Sequence, residues 1–195
     1  MRFSMSQSLL AIGCITPIYS LAIDSTSIIE GKQMPDKWIR YDLTPVNTAT
    51  TAVSLTPRTD VSVCEIIRNT AACLTVANIL INWTASVAAS IKSLSNQGSC
   101  STSYGSLDGI SWVYYATGRN CDTTAEAATI QGAIKNHLET TDGNKLCGTE
   151  CLDLTHSGTW NGYLLVGPTS NFNSGAYCGP SLSFGQCTSG GKNDV

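Results

Sequence analysis

The sequence predicts an α+β domain in which two helices pack on one face of a small antiparallel sheet and disulfides staple the elements together. Three observations support this prediction. The chain of 195 residues contains nine cysteines. Apolar residues recur at helical spacings in two separate segments. Short runs rich in β-branched and aromatic residues, typical of strands, follow each of these segments. The order helix, strands, helix, strands is characteristic of α+β folds.

Residues 1–22 have the pattern of a secretory signal peptide. Arg2 is the only charge before an apolar stretch over residues 9–18, and the small residues Ser20 and Ala22 follow. A basic start, an apolar stretch of about 7–15 residues and a small-residue exit define such a peptide. The stretch is too short for a membrane span, which needs about 20 residues. We therefore expect cleavage after Ala22 and a secreted, extracellular protein.

Residues 23–60 differ from the rest of the chain because they contain no cysteine, three prolines and a Thr/Ser-rich run. Such a composition is typical of an extended surface linker. A second interpretation is a pro-segment, because kexin-type proteases cut after Lys-Arg or Arg-Arg and sometimes after Pro-Arg. Neither dibasic pair occurs, but Pro57-Arg58 lies at the end of the segment. The sequence thus predicts a linker or pro-segment over 23–60, with Arg58 as the candidate cleavage site, and a disulfide-rich domain over 61–195.

The cysteine count supports secretion independently. Cys14 leaves with the signal peptide, and an even number remains, as a complete disulfide set requires. The secretory pathway is oxidising enough to form these bonds. A zinc site is disfavoured because no two-residue cysteine spacing occurs, and neither a metal nor a cofactor is expected. Cys178–Cys187 is the favoured pair because it closes a short loop. The eight candidate disulfide cysteines are Cys64, Cys73, Cys100, Cys121, Cys147, Cys151, Cys178 and Cys187.

The first helix is expected over residues 61–94, which contain neither proline nor glycine, and Gly98 suits its C-terminal end. Within it, residues 69–91 carry no charge. That length would reach across a hydrocarbon core of about 30 Å. We interpret the run as a helix buried in the domain. The alternative is a segment that enters a target membrane after release.

Two features of this predicted helix lead to further expectations. Cys64 and Cys73 would be about 13.5 Å apart along a continuous helix, whereas a disulfide needs Cα atoms within about 7 Å. Each must then pair with a later cysteine. Asn82-Trp83-Thr84 is the only N-glycosylation acceptor motif in the chain. Because Asn82 lies mid-helix in an apolar run, we expect low occupancy.

The remaining elements alternate between strand and helix patterns. Residues 110–115 predict a strand. A second helix follows over residues 125–138, with Asp122 or Thr123 as its cap and Asp142-Gly143 at its end. Two strands are expected near residues 150–154 and 160–166, joined by a hairpin loop at Ser157-Gly158.

No catalytic motif stands out, and the chain is not expected to be an enzyme. His137 on the second helix, and His156 near Glu150 and Asp153, are the candidate general bases. However, His156 falls in a predicted loop, and no Gly-x-Ser-x-Gly elbow occurs. Aromatic residues crowd the C-terminal region and would form either core or a carbohydrate-facing patch; these are Trp160, Tyr163, Phe172 and Tyr177.

With a formal net charge of −3, the chain lacks the excess of basic residues that is typical of proteins that bind nucleic acid. The C-terminal third carries distinctive motifs: LCGTECL over 146–152, GTWNGY over 158–163, YCGP over 177–180 and FGQC over 184–187. This part resembles a family of small secreted fungal proteins that includes yeast killer-toxin preprotoxins and their chromosomal homologues. The resemblance implies a secreted killer-toxin-like protein that acts on the wall or membrane of competing yeast cells. A non-toxic secreted or wall-associated binding protein is the alternative. The expected partner is therefore a cell-wall glycan or a target membrane.

Overall fold

The computed structural model describes residues 28–43, 73–117, 121–156 and 160–184. Several predicted features lie outside the described residues: the predicted signal peptide with Ala22, the candidate cleavage site Arg58, the hairpin loop at Ser157-Gly158, Cys64 and Cys187. The strands are β1 (Ile28–Ile29), β2 (Lys32–Gln33), β3 (Lys37–Asp42), β4 (Leu74–Thr75), β5 (Ser103–Leu107), β6 (Ile110–Thr117), β7 (Lys145–Leu146), β8 (Glu150–His156) and β9 (Trp160–Pro168). The helices are α1 (Leu80–Asn96) and α2 (Ala127–Asn136), and a π-helical turn (His137–Thr141) follows α2 directly.

Five strands form the central sheet in the order β3-β8-β9-β6-β5. The predicted strands near 110–115, 150–154 and 160–166 are confirmed as β6, β8 and β9. The fold is α+β as expected, but the sheet is mixed and not antiparallel. β3 pairs in parallel with β8 over six residues, from Lys37 opposite Glu150 to Asp42 opposite Thr155.

The parallel strand comes from the segment that was predicted to be a linker or pro-segment, and for residues 28–43 the linker prediction is wrong. β3 contributes buried side chains to both faces of the sheet, Trp38 to one and Ile39 and Tyr41 to the other. The linker prediction rested on the average composition of residues 23–60. The Thr/Ser-rich part that dominates this average follows β3 in the chain. The structure therefore extends the folded domain on the N-terminal side of residue 61.

The buried side chains form two clusters. The first combines residues of α1 and α2, such as Trp83 and Ile134, with alternate strand residues such as Leu152 and Leu164. The second combines the intervening strand residues with the C-terminal loop, including Tyr177 and Leu182. This alternation follows from the period of two along a strand, which points successive side chains to opposite faces.

The predicted first helix begins too early. Within 73–79 the chain forms β4 and a turn, and α1 begins only at Leu80. β4 pairs with β7, and Cys73 is bonded to Cys147, so non-local contacts override the local helical period. The uncharged run is therefore not one continuous helix. Gly98 has a φ of 59° just beyond the end of α1, as expected for a helix C-terminus. Among the described residues, no helix is both long enough and apolar enough to cross a membrane.

The second helix is shorter than predicted at its start. α2 begins at Ala127 with Glu126 in the cap position, and no side chain caps it. Thr123 instead accepts a hydrogen bond from the Ala125 amide in the preceding loop. The predicted end is confirmed, because Gly143 adopts a φ of 58° after the π-helical turn.

Three disulfides join the described elements. They are Cys73–Cys147, Cys100–Cys121 and Cys151–Cys178. The expectation that Cys73 pairs with a later cysteine is confirmed. The favoured pair Cys178–Cys187 is wrong, because the C-terminal loop lies against β8 and brings Cys178 to Cys151 in the second buried cluster. That the remaining mature cysteines, Cys64 and Cys187, are also oxidised stays a prediction.

Candidate functional site

Four ionisable side chains meet at the end of the sheet beside β3, and we call them the charge cluster. Lys37 on β3 lies directly opposite Glu150 on β8 in the parallel register. His137 opens the π-helical turn, and Asp142 follows that turn. Three different elements therefore converge here, and each contributes at least one charge.

His137 lies at the centre of the charge cluster. Its Nε2 is 2.9 Å from Glu150 Oε2 and 3.1 Å from Asp142 Oδ2. The ammonium of Lys37 donates a hydrogen bond to the other carboxylate oxygen of Asp142. The side chain of His137 is fully buried, and those of Asp142 and Glu150 are only 2% and 4% exposed. The Tyr41 ring packs edge-on against the imidazole, with the ring centroids 5.7 Å apart.

Burial and mutual contact shift the protonation equilibria of this cluster. Burial lowers the pKa of His137, but the hydrogen bonds and charges of Asp142 and Glu150 outweigh it and raise the pKa to about 9. Burial raises the pKa of Glu150 to about 7, although His137 opposes that shift. For Asp142, burial is outweighed by His137 and Lys37, and its pKa is lowered. The two carboxyl groups therefore favour the protonated form of His137.

The charge cluster has the residue types of a metal site but is already neutralised. The ligand atoms of His137, Asp142 and Glu150 lie within 4.8 Å of one another, the one such group in the described parts of the chain. A metal needs the neutral imidazole and ionised carboxylates. Here Lys37 and the protonated form of His137 face the two carboxyl groups, so the cluster can balance its own charge. The 2.9 Å contact between His137 Nε2 and Glu150 Oε2 is a hydrogen bond, whereas Asp142 Oδ2 at 3.1 Å makes an ion-pair contact without a hydrogen bond of its own. The arrangement is that of a buried ion-pair network.

The structure groups the sequence candidates differently from the prediction. Glu150 contacts His137, and not His156 as the spacing suggested. His156 ends β8 and is half-buried, so its predicted loop position is wrong. Asp153 is fully buried on the opposite face of the sheet, where Arg40 Nε donates to its carboxylate at 2.7 Å. The Arg40–Asp153 pair has no local signal in the sequence, because parallel pairing joins residues 113 positions apart. The His137–Glu150 pair spans only 13 positions, but it depends on the π-helical turn that places His137.

The opposite edge of the sheet has a different chemistry. Tyr104 on β5 is 78% exposed, the most exposed large hydrophobic side chain in the described residues. The only charged residue in the β5–β6 hairpin, residues 103–117, is Asp108. Tyr104 and Ser106 are two residues apart on β5 and therefore point to the same face. Sequence analysis did not single out Tyr104, because one tyrosine in a Ser/Gly-rich segment carries no pattern.

Three exposed hydroxyls adjoin this strand. Thr169 Oγ1 lies 3.1 Å from Ser106 Oγ and 2.8 Å from Ser111 Oγ. Each hydroxyl can donate once and accept twice, so the trio retains unused capacity for a ligand. We call Tyr104, Ser106, Ser111 and Thr169 the hydroxyl surface. Thr169 also lines a shallow uncharged cavity with Cys73, Leu74, Gly109, Pro168 and Ser170.

Two other surface predictions are resolved by the described residues. The aromatic residues proposed as a carbohydrate-facing patch are not a surface: Trp160, Tyr163 and Tyr177 are buried and Phe172 is half-buried. Asn82 lies in the first turn of α1, and its side chain is exposed. The reason given for low glycan occupancy at Asn82 is therefore wrong, while the occupancy itself stays a prediction.

Comparison with known proteins gives one match. No curated protein and no solved structure matches the chain. A model of a family of unknown function, DUF6736, matches residues 51–177. The match contains both helices and strands β4 to β9, but it begins after β3. Because it covers more than half of the chain, this protein belongs to the DUF6736 family.

Proposed function

We propose that this protein is secreted and acts at the surface of competing cells, in the manner of a killer toxin, by binding an uncharged wall glycan through the hydroxyl surface. Three disulfides among the described residues support passage through an oxidising secretory pathway. The C-terminal motifs that resemble killer-toxin preprotoxins support the biological setting.

The exposed Tyr104 beside three hydroxyls carries the glycan part of the proposal. Sugars present C–H faces that stack on aromatic rings, and they present hydroxyls that both donate and accept. Tyrosine offers a large rigid face at low cost in conformational entropy. Ser106, Ser111 and Thr169 offer the matching donors and acceptors. The scarcity of charge in the hairpin favours an uncharged ligand over a phosphorylated or acidic one.

We also infer that both helices cover the same face of the sheet. Residues from α1 and α2 share the first buried cluster with alternate residues of β6, β8 and β9. Tyr104 and Ser106 belong to the other face, because Gly105 between them lies against Trp112 of that first cluster. This arrangement leaves the hydroxyl surface clear of the helices.

Insertion of α1 into a membrane is the less favoured mechanism. Its apolar residues Trp83, Val87 and Ile91 are buried in the first cluster. Exposing them to lipid would break up the core of the domain. This burial favours the second candidate function, a wall-associated binding protein without toxicity, over a membrane-entering toxin.

The first experiment measures binding of the secreted protein to insoluble β-glucan, chitin and mannan. Tyr104→Ala should weaken binding to the preferred polysaccharide about tenfold, since exposed aromatics are common binding hot spots. Ile81→Ala is the matched control, because Ile81 is also apolar and 60% exposed but lies on α1. Equal binding by Tyr104→Ala and wild type would refute the site.

A second experiment separates the two candidate functions. Purified protein is spotted at acidic pH on lawns of several yeasts. If the wild-type protein kills and Tyr104→Ala does not, the killer-toxin function is supported. If the wild-type protein binds glycan without killing, the wall-associated function is supported. N-terminal sequencing of protein from the medium should find Ile23, and thiol titration in denaturant should find no free cysteine. A protein that still begins at Met1 would remove the secretory part of the proposal.

A further inference from the structure

Residues 28–43, which we call the strap, are bound to the rest of the domain almost as a separate peptide would be. β3 forms the outermost strand beside β8 and is parallel to it. The strap buries Trp38, Ile39, Tyr41 and Leu43, each 2% exposed or less. All four are among the largest fully buried side chains of the described residues, so the strap is part of the core of the domain.

Two cationic side chains on β3 contact buried carboxylates in the rest of the domain. Lys37 contacts Asp142 in the charge cluster, and Arg40 contacts Asp153 at 2.7 Å on the other face. The Arg40 guanidinium also lies 5.1 Å from the centre of the Phe184 ring. The rest of the domain thus presents a carboxylate on each face of the sheet, and the strap supplies one cation to each carboxylate.

Hydrogen bonds on either side of β3 hold it in register with β8. The Asp36 amide donates to the Thr149 carbonyl at 2.7 Å, and the Asp36 carboxylate accepts from the Thr149 amide. At the other end, the Leu43 amide donates to the Thr155 carbonyl at 2.6 Å. Specificity of this kind, with a backbone ladder and pockets for alternate side chains, is typical of peptides that add a strand to a sheet edge.

No covalent link holds the strap except the main chain. Residues 23–63 contain no cysteine, whereas all three described disulfides lie within residues 73–178. The family match begins at residue 51 and does not include the strap. The strap is therefore outside the matched family region, and yet it pairs with β8 and contacts two carboxylates of that region.

We propose that the outer edge of β8 is a binding site for an extended peptide with basic and apolar side chains. The strap occupies this site in cis, and it stays bound when the chain between the strap and β8 is cut. The ligand of this site has an apolar side chain directed to each face and a cation at the positions of Lys37 and Arg40. A break anywhere in residues 44–72, the candidate site at Arg58 included, then leaves a two-part particle. This site is separate from the hydroxyl surface, so the glycan proposal stands or fails independently of it.

The test uses the full chain with residues 48–54, which are uncharged, replaced by a site-specific protease sequence. The folded, secreted protein is cut and passed through a size-exclusion column. We expect the strap to co-elute with the remainder at neutral pH, with an unchanged circular dichroism spectrum. A fluorescent peptide of residues 28–43, added in excess, should then exchange into the cut protein.

Two variant peptides make the exchange specific. A peptide with Lys37→Ala and Arg40→Ala should dissociate at least tenfold faster than the wild-type peptide, about the effect of losing more than 1.4 kcal/mol. An Ile28→Ser peptide is the control, because Ile28 is 47% exposed, and it should dissociate at the wild-type rate. The proposal is overturned if the strap elutes alone from a folded remainder, if the cut protein unfolds, or if both variant peptides behave alike.

Discussion

The two edges of the five-stranded sheet are built on opposite chemical principles. At one edge β3 carries cations that are buried or half-buried, and each contacts a carboxylate of another element. At the other edge β5 carries no charge, and Tyr104 is open to solvent. The charge cluster contacts one face of β3, and the C-terminal loop contacts the other. The β5 edge presents hydroxyls bonded only to one another in the trio.

The β3 edge is therefore suited to stabilising the fold, and the β5 edge is suited to binding a ligand. Removing one partner of a buried ion pair lowers the free energy of unfolding strongly, but a ligand cannot reach such a pair. Exposed hydroxyls and one exposed ring contribute little to folding, but they are accessible. We therefore expect substitutions at the β3 edge to affect stability most and substitutions at the β5 edge to affect binding most.

The largest effect is expected from Asp142→Asn. The change leaves the shape intact but removes the negative charge that faces both Lys37 and His137. Breaking a buried pair in this way typically costs about 3–5 kcal/mol. Urea denaturation should show that loss. Glu139→Gln is the control, because Glu139 is 38% exposed and pairs with Lys135 one helical turn away, and such local pairs are worth less than about 1 kcal/mol. Equal losses for the two variants would contradict the role of the charge cluster.

A somewhat smaller effect is expected at the β5 edge from Gly105→Ala. A Cβ at this position would lie 2.4 Å from the Trp112 ring, which packs in the first buried cluster. Forcing an extra methyl into a packed site costs roughly 1–3 kcal/mol. Gly175→Ala is the control, since its nearest neighbour would be an Asn173 oxygen at 3.5 Å. A neutral Gly105→Ala in urea denaturation would show that β5 can move away from the core.

The same comparison shows how far the sequence predicts this fold. β6, β8, β9 and most of α2 were predictable from local signals: the composition of the strands and the turn residues beside them, and the helical spacing of apolar residues in α2. β3 was not predictable, because parallel pairing with β8 joins residues 113 positions apart and leaves no local signature. β4 was hidden for a similar reason, since its partner β7 lies about 70 positions later.

The candidate sites were predicted only in part. His137, Glu150 and Asp153 were named as candidates, but spacing alone grouped Glu150 with His156. The π-helical turn instead directs His137 to Glu150 and Asp142. Tyr104 and its neighbouring hydroxyls were missed, because Thr169 reaches Ser106 and Ser111 only after the sheet has formed.

The β3 edge also makes stability depend on pH, and the expected effect is moderate. Glu150 has its pKa raised from 4.5 to about 7, so between these values the folded state binds a proton that the unfolded state lacks. Stability therefore rises as the pH falls from 7 to 4.5. His137 has its pKa raised from 6.5 to about 9, so its contribution is lost as the pH rises through 9. Asp142, with a lowered pKa, loses its contribution only below pH 3.8.

The melting temperature should accordingly be higher at pH 5 than at pH 8.5. A difference of about 2 kcal/mol corresponds to roughly 5 °C for a domain of this size. Glu150→Gln should flatten the part of the profile between pH 4.5 and 7, and it should also reduce the part above pH 7, because Glu150 is one of the two carboxyl groups that raise the pKa of His137. A melting temperature that rises from pH 5 to pH 8.5 would contradict the assigned shifts.

The smallest effect on stability is expected from Thr169→Val, which removes the centre of the hydroxyl trio without changing its shape. Both lost hydrogen bonds are exposed, and water replaces them, so the free energy of unfolding should change by less than about 0.5 kcal/mol. Binding to the preferred polysaccharide should nevertheless fall, because Ser106 and Ser111 lose the partner that orients them. Ser90→Ala is the control: its exposed hydroxyl bonds only within α1, and its loss should leave both quantities unchanged. If Thr169→Val lowers stability by more than 1 kcal/mol, the hydroxyl trio is structural, and the contrast between the two edges fails. If it changes neither stability nor binding, Tyr104 acts alone, and the ligand needs only an aromatic platform.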